Sequence, residues 1–172
     1  GLVDGLGVRR VCASLLDWVS QLDLRNATPD DARIVFDWRN HPEVRKQSFN
    51  TNPLDWEKHR QWFDDLLRSQ DAMLLIVEKN GRLVGVLRYV FAGDEAAVSI
   101  YLNPDLSGLG IGMVALKKGI SLIRRRRPGV KRLTARIKAG NEASLRAFRK
   151  AGFIEVYHGF ELDMTGGVDH GI

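Results

Sequence analysis

"NPDLSGLGIGMVAL" (residues 103–116) sets three glycines within five positions and then runs directly into an apolar stretch with helical spacing. Glycine weakens regular structure by roughly 0.5–1 kcal/mol relative to alanine, so Gly108, Gly110 and Gly112 at the mouth of a helix call for a physical reason. The first amide N–H groups of a helix have no intrahelical partner, and the helix dipole adds partial positive charge there. Small residues at such a point let an anionic group approach the backbone closely. Two familiar phosphate motifs do not fit. A P-loop needs Gly-Lys-Ser/Thr after four spacers, and no such lysine follows here. The dinucleotide fingerprint needs a glycine where Met113 stands and an acidic residue some twenty positions on, where this chain is basic.

Charge around the glycines points the same way. From residue 106 to 141 there is no Asp or Glu, while Lys117, Lys118, Arg124, Arg125, Arg126, Arg127, Lys131, Arg132, Arg136 and Lys138 all fall inside. An electropositive segment around a glycine turn suits a phosphate-bearing ligand. The competing explanation is a set of solvated faces, and the run at 124–127 sits where a helix C-terminus favours cations anyway. The whole chain carries a net charge of +5 over 172 residues, enough for one domain with a proper core. At 44% hydrophobic and 27% charged residues with five prolines, the composition is that of a globular domain. No apolar run reaches membrane-span length and no signal-peptide pattern opens the chain, so no membrane partner is expected. The single cysteine, Cys12, excludes an intrachain disulfide and fits a reducing, cytoplasmic setting. Cys, His and carboxylates do not cluster at ligand spacing, so no metal is expected. The aromatics do not interleave with the basic stretch as stacking platforms would, which argues against nucleic acid.

The periodicity predicts an α/β (α+β) order. Residues 1–20 carry one apolar helical stripe and read as a lead-in helix. Residues 22–28 read as a strand, and Thr28 with Pro29 and Asp31 signals a helix running to about Asn40, stopped by Pro42. Asn52-Pro53 opens another helix, with His59, Trp62, Phe63, Leu66 and Leu67 on one face. Residues 72–79 and 82–91 are strands joined by Asn80-Gly81, a two-residue hairpin signal, and 96–102 is a third strand of the meander. A helix from about Gly110 to Arg127, a strand at 132–138, a helix capped by Asn141 and ended by Gly152, and strands at 153–157 and 160–164 complete it. The tail from Thr165 reads as flexible.

With these elements in place the chain resembles the GNAT family of N-acetyltransferases. Their motif Gln/Arg-x-x-Gly-x-Gly/Ala stands here as Ser107-Gly108-Leu109-Gly110-Ile111-Gly112. Their second landmark, Asn followed by a short helix ending in Gly-Phe, stands as "NEASLRAFRKAGF" (141–153). The resemblance covers roughly 22–164. It implies a central mixed, mostly antiparallel sheet of about 6–7 strands flanked by helices, with residues 21–165 as the acetyltransferase domain and 166–172 as a tail. It implies acetyl-CoA as cofactor, with no metal, along the strand edge at Ile100, Tyr101 and Leu102. Ser107, Gly108, Leu109, Gly110, Ile111, Gly112 and Met113 would hold it at the helix mouth, and Asn141, Ser144 and Phe148 in the second landmark. Two departures stand out. Ser107 replaces a long donor side chain, so backbone amides must carry the phosphates. Phe148 stands where the family often has a tyrosine that protonates the departing thiolate; Ser144 or Tyr101 could supply that proton instead. The family's usual glutamate on the fourth strand is also missing, since Glu95 only precedes 96–102. His41, in a loop before Pro42, is a candidate base, against the alternative of a plain surface histidine. His59 reads as core.

Residues 38–49 and 56–63 resemble the amino-sugar acetyltransferases of the pseudaminic-acid pathway, and more weakly the ribosomal-protein N-terminal acetyltransferases. The first resemblance implies a small-molecule amine acceptor, a nucleotide sugar acetylated on its 4-amino group. Trp38, Arg39, Asn40, His41, Arg45 and Arg88 are the expected acceptor residues, offering stacking and forked donors. Trp62 reads as a core aromatic. Residues 4–11 resemble the closing segment of the UDP-sugar hydrolase of the same pathway, which implies a fused hydrolase domain; a homodimer is a further expectation. The rival readings are a peptide N-terminal acetyltransferase and an acyl-CoA-binding sensor without turnover, which Phe148 keeps open.

Overall fold

Asn80 and Gly81 take left-handed backbone conformations, φ 49° and 75°, as a two-residue turn between right-twisted strands requires. They join β2 (Ala72–Lys79) to β3 (Arg82–Ala92) at the centre of a computed structural model that describes residues 21–106 and 108–156. β4 (Glu95–Leu102) continues the meander, and β1 (Asp23–Asn26) pairs antiparallel with the other edge of β2. β5 (Arg132–Thr134) adds to β4 in parallel, giving the order β1-β2-β3-β4-β5. The mixed, mostly antiparallel sheet expected from the sequence is present.

Strand alternation splits the apolar residues between two faces. Leu75, Val77, Leu87, Tyr89 and Val98 are buried against α4 (Ile111–Arg126) and α5 (Glu142–Ala151), which contribute Ile111, Leu116, Ile123 and Phe148. Leu74, Ile76 and Val86 face the other way, towards Val35 and Trp38 of α1 (Ala32–Asn40) and Phe63 of α3 (Trp56–Arg68). A short α2 (Pro42–Lys46) follows α1. Arg25 on β1 locks the entry to α1, donating to both Asp31 oxygens at 2.7 and 2.8 Å and to Glu78 at 3.0 Å. Asp31, 4% exposed, also accepts the Thr28 N–H of the capping box. Burial would raise its carboxyl pKa, but Arg25 and Thr28 outweigh that and hold it below the usual range.

Several sequence expectations need correction. Pro42 starts a helix as well as following one: it sits at the first position of α2, where its missing N–H costs nothing, and His41 Nδ1 accepts the Glu43 N–H at 3.3 Å. The next helix begins at Trp56 rather than at Pro53, because Asp55 is the capping residue and accepts the Lys58 N–H. The strand expected at 132–138 pairs only over Arg132–Thr134. Among the described residues the sheet has five strands. Residues 153–156 pair with none of them, and Ile154 and Val156 are 84% and 90% exposed. The strand expected at 160–164, the lead-in helix of 1–20 and the tail lie outside the described residues.

Gly119 on α4 packs against the sheet so closely that a Cβ there would collide with the buried Tyr89 hydroxyl, which has no hydrogen-bond partner among the described residues. Gly119→Ala should therefore destabilise the fold by about 1–3 kcal/mol, although alanine is the better helix former. Tyr89→Phe, which removes an unsatisfied hydroxyl, should cost little and restore most of that loss in the double variant. Urea unfolding checks this: a Gly119→Ala protein as stable as the parent contradicts the packing.

Candidate active site

β4 and β5 pair only through Glu95–Arg132, Ala96–Leu133 and Ala97–Thr134, and then part. Beyond Ala97 the edge of β4 has no ladder partner among the described residues. The Asn103 N–H donates to the Val84 carbonyl at 3.0 Å. The antiparallel alternation then turns the backbone groups of Tyr101 and Ser99 towards β3, and those of Ile100 and Leu102 towards the gap. On the far side of the gap, Arg136 lies 4.8 Å over the Phe49 ring and Lys138 Nζ donates to the Lys46 carbonyl at 3.2 Å. These contacts anchor the chain after β5 to the region of α2, away from the β4 edge.

The gap opens into a cleft of about 1080 Å³. At one end lies the start of α4. Gly110, at φ 78°, is its N-cap, and no side chain caps it. The N–H groups of Ile111, Gly112 and Met113 thus face the cleft end of the helix without intrahelical partners. Nothing lies within 4 Å of where a Cβ on Gly108 or Gly110 would sit, so the approach to these amides is open. α5 borders the same end: Asn141 caps it by accepting the Ser144 N–H at 3.1 Å, and Ser144 and Phe148 line the cleft. Phe148 is 5% exposed and meets Phe153 edge to face at 4.9 Å. An uncapped helix start, an open strand edge and a roomy cleft are what a ligand with a diphosphate and an amide-bearing arm requires.

The other end lies on the α1–α3 side of the sheet and is lined by Arg39, Arg88, Tyr101, His59 and Trp62. Burial pushes the Tyr101 hydroxyl above its ordinary pKa, with Arg39 and Arg88 opposing, so it stays protonated at neutral pH. His59, on α3, is enclosed by the rings of Phe36, Trp56, Trp62 and Phe63. Its Nε2 is buried with no hydrogen-bond partner among the described residues. Burial pushes the imidazole below its ordinary 6.5, Arg39 acts in the same direction, and a hydrogen bond with the Ala32 backbone opposes both. The cations Arg33, over Phe36 and Trp56, and Arg88, over Trp62, complete its surroundings. Seven Lys and Arg side chains line the whole cleft against two carboxylates, Glu43 and Asp55, so it attracts anions.

The expected site residues divide clearly. Ile100, Tyr101, Leu102, Gly108, Gly110, Ile111, Gly112, Met113, Asn141, Ser144, Phe148, Arg39 and Arg88 line the cleft; Leu109 does not. Ser107 lies outside the described residues. Trp38 does not stack in the cleft: it is 8% exposed, in the core beneath α1. Asn40 instead braces the loop before α3, with Oδ1 accepting the Leu54 N–H at 2.7 Å. Arg45 donates to the Thr51 carbonyl, and exposed His41 caps α2; neither lines the cleft. Glu95 is engaged with Arg132 at 2.6 Å where β4 is still paired. One residue read as core belongs here instead: Trp62 is 39% exposed, on the flank of α3 that faces the cleft. His59 is buried as expected, and it also borders the same wall. Their helical face was visible in the sequence, but which flank meets the sheet depends on the crossing of α3.

A family model described as an acetyltransferase (GNAT) domain matches residues 21–154. Acetyltransferase PseH of Campylobacter jejuni is 27% identical over 81 residues, 46% of this chain and 51% of that protein. An L-methionine sulfoximine/L-methionine sulfone acetyltransferase of Pseudomonas aeruginosa is 31% identical over 111 residues, 61% of this chain and 63% of that protein. The matches thus span between about half and two thirds of these relatives' length. Spermidine N-acetyltransferase from Vibrio cholerae in complex with CoA and spermine shares the fold at TM-score 0.73 and 17% identity, over 81% of this chain and 84% of that one. AAC(6')-Ib, solved with an aminoglycoside and acetyl-CoA, does so at TM-score 0.69 and 18% identity, over 78% and 83%.

The state of His59 carries a pH dependence. Because its folded pKa is depressed, the unfolded chain takes up the proton first, and stability falls as the pH drops below about 6.5. Between about pH 7 and 5, the urea midpoint read by tryptophan fluorescence should fall less for His59→Phe than for the parent. An equal fall in both proteins would assign the acid sensitivity elsewhere.

Proposed function

The chain belongs to the acetyltransferase (GNAT) domain family, and on that premise we propose that it is an acetyl-CoA-dependent N-acetyltransferase acting on the 4-amino group of a UDP-linked deoxy amino sugar. The observation that carries the reading is the single cleft in which the open β4 edge meets the uncapped start of α4, with a basic acceptor end on the opposite face of the sheet. The likeness to PseH supports the amino-sugar acceptor.

When bound, acetyl-CoA supplies the acetyl thioester. The N–H groups of Ile111, Gly112 and Met113 would hold its diphosphate, and the gap-facing backbone of Ile100 and Leu102 would hold the amide-bearing arm. Gly108 and Gly110 keep side chains out of the way. Phe148 is a wall residue and has no proton to give. A thiol has a pKa near 8.5, so a thiolate leaving group would need little acid assistance. Tyr101, with its pKa raised, and Ser144 would serve there as hydrogen-bond donors rather than as strong acids. His59 stands in the acceptor wall with its Nε2 enclosed by the surrounding rings, so its part there is to shape the wall rather than to take the amine proton. Arg39 provides charge for the nucleotide diphosphate; with Trp38, Asn40, His41 and Arg45 off the cleft, it carries that role with Arg88.

Thiol release from acetyl-CoA in the presence of a UDP-linked 4-amino sugar tests the reading. kcat/KM should fall as ionic strength rises, since charge steering is screened by salt. Arg39→Ala should lower it chiefly through KM. Acetylation of peptide N-termini with every nucleotide sugar ignored would refute the acceptor while leaving the fold intact.

Two variants address the cofactor end. Gly110→Val places a branched side chain at a left-handed position beside the α4 amides and should abolish CoA binding by calorimetry. Phe148→Tyr should leave the rate within a few-fold. A ~10³-fold fall would be far outside the effect of an added hydroxyl on an undemanding leaving group and would contradict the wall role.

A further inference from the structure

Two arginines on one face of the sheet are treated very differently. Arg25, opposite Ile76, is neutralised by Asp31 and Glu78. Arg88, opposite Leu74 and Ser99, stands on the same face with Ile76, Val86 and Tyr101, and no carboxylate pairs with it among the described residues. Its guanidinium rests 5.8 Å over the Trp62 ring, which fixes its direction without discharging it. Arg39 enters from α1. Its Nη1 donates to Ser48 Oγ at 2.5 Å, a neutral partner, and it too has no carboxylate. The two cations are near enough to act on each other and on Tyr101: burial foremost disfavours the charge on Arg39, Tyr101 opposes that and Arg88 adds to it, and both arginines favour ionisation of Tyr101. Two half-buried like charges without a counter-ion cost free energy that an anion would offset. The planar fork of a guanidinium matches the paired oxygens of a carboxylate or phosphate, and the ring beneath Arg88 holds the fork in place.

We propose that Arg39 and Arg88, which line the same end of the cleft as Tyr101, form an oxyanion subsite, so that the acceptor amine carries a carboxylate or a phosphate. For the amine this rests on the acetyltransferase reading; for the anion it does not. The subsite excludes purely cationic polyamines as preferred acceptors, because their charge would meet two unpaired guanidiniums. It admits two sources of the same chemistry, an amino acid's carboxylate and a nucleotide sugar's diphosphate.

Calorimetric titrations of the full chain decide it with two matched pairs: L-methionine sulfone against its methyl ester, and UDP against uridine. Each is run at saturating CoA, so that the first turn of α4 is not left as a competing phosphate site. One anionic probe is expected to bind at least about tenfold more tightly than its neutral partner, about 1.4 kcal/mol. Arg88→Gln should remove that preference and Arg88→Lys restore part of it, with CoA affinity unchanged. The pair that shows the preference identifies the source. Absence of a preference in both pairs, or a preference that survives Arg88→Gln, overturns the subsite. Should Arg88→Gln lose the circular-dichroism signature of the fold, Arg39→Gln carries the same comparison with the same criteria. Failure of CoA to bind would instead overturn the acetyltransferase reading, and the subsite would still stand or fall on the methionine sulfone pair.

Discussion

Everything at the site depends on where β4 stops pairing with β5. Three residue pairs hold the two strands together, and after Ala97 and Thr134 they separate. A central strand buries its polar backbone edge in ladders on both sides. From Val98 onward β4 has one such ladder among the described residues, to β3, so its other edge is available to a ligand. The separation also joins the two faces of the sheet. Without it, the uncapped start of α4 and the arginines beside Tyr101 would lie on opposite sides of a continuous wall.

The elements around the gap hold it open by ordinary means. α4 is fixed to the sheet by Ile111, Ala115, Leu116 and Ile123, with Gly119 pressed against Tyr89, so its N-terminus cannot drift from the end of β4. Asn141 caps α5 and keeps Ser144 and Phe148 at the rim. On the opposite face the Arg25–Asp31 clamp sets the start of α1, and Asn40 ties its end to Leu54 ahead of α3. That pairing presents Arg39, His59 and Trp62 to the cleft together. The charge distribution then follows a division of labour. Arg25 on β1 has the carboxylates of Asp31 and Glu78, and Arg132 on β5 has Glu95, while Arg39 and Arg88 at the acceptor end have no carboxylate partner among the described residues.

The glycine motif, the hairpin at Asn80-Gly81, the caps at Thr28 and Asn141, and the order of elements through α5, the short α2 apart, were legible in the sequence because each rests on local backbone chemistry. What local chemistry could not reveal is which flank of a helix meets the sheet. Trp38 and Trp62 both sit on amphipathic helices, yet one is core and the other lines the cleft, and only the crossing of α1 and α3 decides between them. The same applies to His59: its spacing marks an apolar face, but not that the face borders a cleft. Pro42 misleads for a different reason, since a residue that ends one helix also suits the first position of the next. The strand at 132–138 was overextended because alternation persists in the residues that leave the sheet to anchor on Phe49 and Lys46.

Amide hydrogen exchange with and without CoA tests the central claim most directly. If the parted strand edge and the α4 start are the cofactor site, CoA should slow exchange at Ile111, Gly112 and Met113 and at the gap-facing amides of Ile100 and Leu102. Tyr101 and Ser99, already paired with β3, should change little. Protection confined to the basic stretch at 124–127, or none at Ile100 and Leu102, would contradict the account.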